Sequence, residues 1–254
     1  MTGTITTPDT PGTETREFAG STRGEWRSYL AFLRSPALPA NVTGISQFSL
    51  VATLQMLVLD LLIIGGLIIC AMTAAALLGF EPPANALDEL EWTPLIIIAV
   101  VLVAPIIEEI AFRGWLSGRP AAVLSLVVLG AGVAGLVLAG EANPLAGSGL
   151  FFVSLLGAVL VAVLLRKQLP WGWFSRAFPL FFWISTLAFA LVHLSNYTEG
   201  SLATLLPFVI PQFISGSIFG YARVRYGLWS SILLHIAHNG ALVAVIVTAI
   251  KFAV

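Results

Sequence analysis

Charged residues are scarce in this sequence: they make up 10% of its 254 residues, whereas soluble domains carry about 25%. The formal net charge is −1 and no segment clusters Lys and Arg, so the chain lacks the basic surface that nucleic-acid binding requires. Cysteine is nearly absent too. Cys70 is the only one and lies in a hydrophobic run, which excludes an intrachain disulfide and predicts a small core residue.

Hydrophobic residues dominate instead, at 58% of the chain with a mean hydropathy of +0.96, and this composition indicates a membrane protein. Residues 1–25 have no apolar run and are predicted to form a disordered tail. Residues 26–47 are predicted to be an interfacial or juxtamembrane segment, with a short helix at 26–34 or a plain linker as the alternative. The first long apolar stretch begins near Phe48 and is too long for a cleaved signal, so an uncleaved span is expected.

The rest of the chain, residues 48–254, is predicted to be a transmembrane helical domain. A hydrocarbon core of about 30 Å needs about 20 apolar residues per helix. Seven stretches meet that length, at approximately 48–78, 93–118, 120–139, 149–167, 179–198, 202–222 and 228–252. The sequence therefore predicts an all-α, polytopic transmembrane bundle of seven spans, or eight if the long first stretch breaks.

The loops between these stretches alternate in charge, which predicts their orientation. Basic residues lie before the first span and in every second loop, and acidic residues lie in the others. Under the positive-inside rule, the amino terminus and the basic loops are cytoplasmic and the carboxyl terminus is external. Lys251, near the end of the chain, is the one residue that fits this arrangement poorly. We expect a multi-pass protein of the plasma membrane.

Three of the spans carry ionisable side chains. The segments are EEIAFRG at 108–114, FALVH at 189–193 and HIAHN at 235–239. A charge in hydrocarbon costs about 2.5–3.5 kcal/mol on insertion scales, so such residues are rare without a partner and a purpose. At a rise of about 1.5 Å per residue, all three segments can reach one layer near the middle of the membrane. The pattern predicts a polar, water-containing site inside the bundle.

The first segment holds two adjacent carboxylates. Glu109 and Arg113 are four residues apart, so they can pair on one helix face, and Glu108 is left on another. The alternative is a purely structural ion pair, or side chains that snorkel at a helix end. In the second segment, Phe189 and His193 lie one turn apart, although a lone His on an apolar face is more often a hydrogen-bonded core residue.

The third segment places His235 and Asn239 on one helix face, where their N–H groups can form an oxyanion hole. His235 with His238 or His193 is instead a candidate zinc pair, although neither HExxH nor a cysteine pair is present.

Other small and polar residues in the spans have plainer interpretations. Gly216 and Gly220 have the small-xxx-small spacing of close helix packing, and a packing role is also expected for Gly65 and Gly66. Asp60 has no companion motif, and it is interpreted as a polar contact or as a residue near the interface.

The ordered set Glu-Glu-x-x-x-Arg, Phe-x-x-x-His and His-x-x-x-Asn, each on its own hydrophobic helix, resembles the CPBP family. This family comprises type II CAAX prenyl endopeptidases and their bacterial relatives, and the resemblance covers residues 94–240. It implies that Glu108 activates water and that His193 helps to position it. It also implies that Glu109 and Arg113 orient the site, with Phe189 as supporting residue, and that His235 and Asn239 hold the oxyanion.

The resemblance also bears on cofactors and topology. Members are described both as glutamate-type proteases, which implies no metal, and as metalloproteases, for which the alternative is zinc held by Glu108, His193 and His235. In many relatives the second motif follows the first after one short return. Here two more apolar stretches, 120–139 and 149–167, intervene, and we interpret them as an inserted transmembrane hairpin that preserves the orientation of the next helix.

The expected function is therefore intramembrane hydrolysis of a peptide bond by Glu-activated water. The expected partners are the lipid bilayer and a membrane protein or peptide substrate, lipidated or not, approached from the cytoplasmic side. Two other classes stay open. One is a non-proteolytic scaffold, immunity or maturation factor that binds through the polar cavity. The other is a small transporter with a proton relay, although the chain has neither duplicated halves nor paired broken helices.

Overall fold

Seven long apolar helices dominate the structure, a computed structural model that describes residues 21–87 and 90–253. They are α2 (Gln47–Leu78), α3 (Pro94–Ser117), α4 (Pro120–Gly140), α5 (Pro144–Leu165), α7 (Phe178–Asn196), α8 (Leu202–Tyr226) and α9 (Leu228–Ala253). Two shorter helices are α1 (Thr22–Arg34) and α6 (Gly172–Arg176). The predicted all-α bundle of seven spans is confirmed, and the described residues contain no eighth span. Most of the predicted tail, residues 1–20, lies outside the described residues.

The first span, α2, is one continuous helix of 32 residues, so the break considered from its length does not occur. Ser46 and Ser49 form a capping box at its start, and Gly79 ends it in a left-handed conformation with φ 63°. Two expectations for this helix are wrong. Cys70 is exposed rather than in the core, and no heavy atom lies within 4 Å of a Cβ placed on Gly65 or Gly66.

The amino-terminal helix α1 packs against α2 and α8, and it begins four residues before the stretch that predicted it. Its Glu25 is buried, and its carboxylate accepts hydrogen bonds from the hydroxyls of Tyr221 at 2.9 Å and Tyr226 at 2.6 Å. The Trp26 indole N–H donates to the carbonyl of Gln55 at 2.9 Å. Polar contacts therefore fix α1 to α2 and to the carboxyl-terminal end of α8, which is predicted to be cytoplasmic.

The predicted transmembrane hairpin is formed by α4 and α5, which pack closely against each other. A Cβ on Gly132 would come within 2.4 Å of the Ser154 Cβ, and one on Gly147 within 2.7 Å of the Gly140 Cα, so small residues allow this contact. Its outer surface carries exposed apolar side chains such as Leu164, as expected for helices that face lipid. The three segments with ionisable side chains lie on other helices.

Helix α8 lies at the centre of these other helices, in contact with α2, α7 and α9. Its middle is almost fully buried, from Ser215 to Val224. Gly220 allows the approach of α7, because a Cβ there would lie 2.8 Å from the Phe182 ring. The three segments identified in the sequence therefore surround one helix, on α3, α7 and α9.

Candidate active site

A buried ion pair lies at the centre of the site. The Arg113 guanidinium donates from Nη1 to Glu109 Oε1 at 2.8 Å, and both side chains are fully buried. The i, i+4 spacing on α3 places them on one face, as the sequence predicts. A buried charge is tolerated only when it is paired and hydrogen-bonded, so each of these two residues requires the other.

Arg113 also connects α3 to α7 and α8. Its guanidinium carbon lies 3.8 Å from the centre of the Phe189 ring, a cation–π distance, and its Nη2 donates to the carbonyl of Gly216 at 3.3 Å. A Cβ on Gly216 would lie 2.9 Å from the Phe189 ring and 3.1 Å from Nη2. Gly216 is therefore required by the position of Arg113 and not only by helix packing.

Glu109 orients the first imidazole of the site. His235 Nδ1 lies 3.0 Å from Glu109 Oε1, and Ser231 on the same helix donates its hydroxyl to Glu109 Oε2. Because an ionised carboxylate only accepts, His235 Nδ1 carries the proton. The other ring nitrogen, Nε2, is thereby directed towards Glu108, at 3.9 Å from its Oε2.

His193 approaches Glu108 from α7. Its Nδ1 donates to the carbonyl of Phe189 at 2.7 Å, which leaves Nε2 at 4.0 Å from Glu108 Oε2. The Phe189 ring packs edge-on against both imidazoles, with centroid distances of 4.8 Å to His193 and 5.6 Å to His235. The structure thus brings together the three sequence segments, and Phe189 forms the wall between the two histidines.

Glu108 has a different environment from its neighbour. Its side chain is 28% exposed, and Oε2 is buried without a hydrogen-bond partner among the described residues. Separations of 3.9 and 4.0 Å from the two Nε2 atoms are too long for direct hydrogen bonds but suit one bridging water. This unpaired carboxylate oxygen between two imidazoles is therefore well placed to bind a water molecule.

Asn239 also lies at the site, held by an irregular segment of α3. A π-helical turn, Ala99–Val103, shifts the backbone hydrogen bonds so that the Ala104 N–H reaches the carbonyl of Ala99. The same shift would pair the Val100 carbonyl with residue 105, which is a proline and has no N–H. The Val100 carbonyl instead accepts from Asn239 Nδ2 at 2.9 Å. One N–H of this carboxamide is left for another partner.

The zinc alternative requires three donors about 2.0–2.2 Å from one centre. Within residues 21–87 and 90–253, no group of three or more His, Cys, Asp or Glu side chains is arranged to hold a metal ion. The residues present therefore do not fit a zinc site in this arrangement.

A second buried polar group was not recognised from the sequence. Asp60 is fully buried on α2, accepts from the Ser215 hydroxyl at 2.6 Å and contacts His238 Nδ1. Of the two interpretations of Asp60, the polar contact is therefore confirmed. An acid within a span was the available signal, but its partners are 155 and 178 residues away. Such distant pairs cannot be predicted from sequence spacing.

A cavity of about 810 Å³ connects these groups, and its walls are mostly apolar. It is lined at one end by Glu108, His193, His235, His238 and Asn239. From there it extends along α2 and α9 to the loop that follows α2, at Phe80 and Leu87. It therefore runs towards the acidic loops, the end opposite to the one predicted for substrate approach.

The fold and the site define a multi-pass membrane protein with a buried Glu–His centre. The family model described as type II CAAX prenyl endopeptidase, Rce1-like, matches residues 90–241, which is more than half of the chain. The chain belongs to this family, and the family predicted from the three motifs is confirmed. Membership supports a membrane endopeptidase activity in general. No curated protein and no solved structure matches the chain.

The close approach at Gly216 gives a testable expectation. Gly216→Ala is expected to lower the stability of the purified protein by about 1–3 kcal/mol, because the added methyl group displaces Phe189 or Arg113. Thermal unfolding in detergent measures this as a lower Tm. The control is Gly66→Ala on α2, where a Cβ meets nothing within 4 Å. Equal Tm values for the two variants would contradict the assigned contact.

Proposed function

We propose that this protein is an intramembrane endopeptidase that hydrolyses a peptide bond of a membrane-associated protein or peptide with water activated by Glu108. The observation that carries the proposal is the unpaired Glu108 Oε2, about 4 Å from the Nε2 atoms of His193 and His235 at the end of a cavity. A general base must lie within hydrogen-bond reach of its proton, directly or through water, and this geometry provides that reach.

In the proposed reaction, Glu108 removes a proton from the water while the water oxygen forms a bond to the carbonyl carbon. His193 Nε2 holds the water from the other side. The C=O electron pair moves onto oxygen, which gives a tetrahedral oxyanion. Collapse of this intermediate re-forms C=O and breaks the C–N bond, and Glu108 returns the proton to the leaving amine.

Asn239 and His235 are proposed to stabilise the oxyanion. The second N–H of the Asn239 carboxamide is available, because only one is used by the Val100 carbonyl. His235 donates from Nε2 only when both ring nitrogens carry a proton, and its Nδ1–H then remains bonded to the Glu109 carboxylate. Donors fixed by bonds to the protein need no reorganisation as the charge develops.

Glu109, Arg113 and Phe189 are proposed as supporting residues that do not touch the reacting atoms. Glu109 sets the tautomer of His235, and Arg113 keeps Glu109 ionised and in place. Phe189 separates the two imidazoles and covers the guanidinium. This division follows from burial, because Glu109 is fully enclosed whereas Glu108 lines the cavity.

The apolar cavity suits an acyl or prenyl chain attached to the substrate, so a lipidated peptide is the proposed substrate class. A peptide that ends in a farnesylated C-a-a-X sequence is the corresponding probe. The proposed location is the plasma membrane, with the amino terminus cytoplasmic. This orientation follows from the alternating loop charges and places the end of the cavity at Phe80 and Leu87 on the external side.

Glu108→Gln is expected to lower the rate of cleavage of an internally quenched, farnesylated C-a-a-X peptide by about 10²- to 10⁴-fold, because the amide has the carboxylate's shape but cannot take the proton. Initial rates of purified protein in detergent measure this effect. Glu141→Gln, an exposed acid in the α4–α5 turn, is the matched control and should cleave like the wild type. A folded Glu108→Gln protein with wild-type rate would favour the scaffold instead.

The metal-free mechanism is tested in the same assay. Cleavage should persist after dialysis against a zinc chelator, and the purified protein should contain zinc well below one equivalent by elemental analysis. Loss of cleavage that returns on addition of Zn²⁺ would instead support the Glu108, His193 and His235 alternative.

The orientation is tested by labelling single cysteines in a Cys70→Ser background. A membrane-impermeant maleimide added to intact cells should label Glu141→Cys but not Gln168→Cys, because these exposed residues lie in loops expected on opposite sides. Lysed cells provide the control in which both are labelled. The reverse pattern in intact cells would place the amino terminus outside.

A further inference from the structure

The second polar group, Asp60 with Ser215 and His238, adjoins the cavity but has no part in the proposed reaction. Asp60 is fully buried, and within the described ranges its hydrogen-bonding partners are these two residues alone. No Lys or Arg of the described residues contacts it, in contrast to Glu109 with Arg113. Asp60 therefore depends on its hydrogen bonds to Ser215 and His238.

The contact with Asp60 fixes the orientation of the His238 ring. Nδ1 faces Asp60, so Nε2 is the ring nitrogen that is left for the cavity. His238 lines the cavity, and no side chain of the described part of the chain bonds its Nε2. A polar ring nitrogen is therefore available to a bound molecule there.

An acceptor lies on the neighbouring helix. Gln212 lines the same cavity, one turn before Ser215 on α8, and its Oε1 is buried with no hydrogen-bond partner among the described residues. An unpaired buried carbonyl is costly, by about 1–3 kcal/mol, which indicates that something else supplies the donor. An imidazole nitrogen and an amide oxygen on adjoining walls are groups that can bind the C=O and N–H of a peptide group.

We propose that His238 and Gln212 bind one peptide group of the substrate, with His238 Nε2–H on its carbonyl oxygen and Gln212 Oε1 on its N–H. Asp60 and Ser215 are positioning residues that act through His238. This inference rests on the proposed function, because it takes the substrate to be a peptide. The His235 and His238 ring centroids are 6.5 Å apart. At about 3.3–3.6 Å per extended residue, the bound group lies about two residues from the scissile bond.

The pair also has a purely structural interpretation, as a connection between α2 and α9. The chain offers a matched control for it. Thr53 on α2 and Ser230 on α9 are hydrogen-bonded at 2.6 Å, both are buried, and neither lines the cavity. Thr53→Val therefore removes a polar contact between the same two helices without changing the walls of the cavity.

The test uses binding, so that it does not depend on catalysis. The probe is a fluorescein-labelled, farnesylated C-a-a-X peptide, together with a set in which each peptide N–H is methylated in turn. Fluorescence anisotropy gives Kd for the Glu108→Gln protein in detergent. Methylation at one position, about two residues from the cleaved bond, should raise Kd by about tenfold. Gln212→Ala should weaken the unmethylated peptide to the same extent and abolish sensitivity to that methyl group.

His238→Leu should also raise Kd for every peptide, and His238→Gln, which keeps a donor, should restore part of the affinity. Thr53→Val should leave Kd and the methylation pattern unchanged. The inference is overturned if no methylated position stands out, if Gln212→Ala keeps the sensitivity, if Thr53→Val reproduces the effect, or if the unmethylated peptide does not bind. If Glu108→Gln cleaves at the wild-type rate while the effects of methylation and of Gln212→Ala are as expected, the proposed function alone is overturned. If the wild-type protein cleaves the peptide normally and these two effects are absent, this inference alone is overturned.

Discussion

The buried Glu109–Arg113 ion pair is the interaction on which the rest of the site depends. Desolvation of two charges costs several kcal/mol each, and removal of one partner from such a pair typically destabilises a protein by about 3–5 kcal/mol. Both side chains of the pair have further contacts, and these contacts lie on other helices. Arg113 reaches Phe189 and the Gly216 carbonyl, and Glu109 reaches His235. One pair on α3 therefore fixes elements of α7, α8 and α9.

Glu108 and Glu109 have different environments because the ion pair fixes which face of α3 is buried. Successive residues of a helix are rotated by about 100°, so the face that encloses Glu109 leaves Glu108 at the edge of the cavity. Glu109 has its acceptor sites filled by Arg113, His235 and the Ser231 hydroxyl. Glu108 Oε2 has none filled. A cavity-facing acid next to a fully buried, paired one is thus a consequence of helix geometry.

Residue spacing predicts those parts of the structure that depend on one helix. Hydrophobic length gave the seven spans, and i, i+4 spacing gave the Glu109–Arg113 pair and the common face of Phe189 and His193. Contacts between distant helices could not be predicted. The Asp60–His238 pair connects α2 and α9, and no local sequence pattern relates these two spans. The Asn239 bond to Val100 depends on a π turn, for which Pro105 is the one local sequence signal. The family resemblance added the expectation that the three segments form one site, and it predicted neither of these contacts.

The α4–α5 hairpin separates two of the three site segments in the sequence but imposes little on their positions. It joins the site through α3, whose last turn is held by Arg223, with hydrogen bonds to the carbonyls of Arg113 at 3.0 Å and Gly114 at 3.3 Å. Those bonds fix the end of α3 to α8 before the hairpin begins. Because α4 and α5 pack mainly on each other, they impose little on the position of Arg113. The position of the end of α3 is therefore set by its bonds to α8 and not by the hairpin.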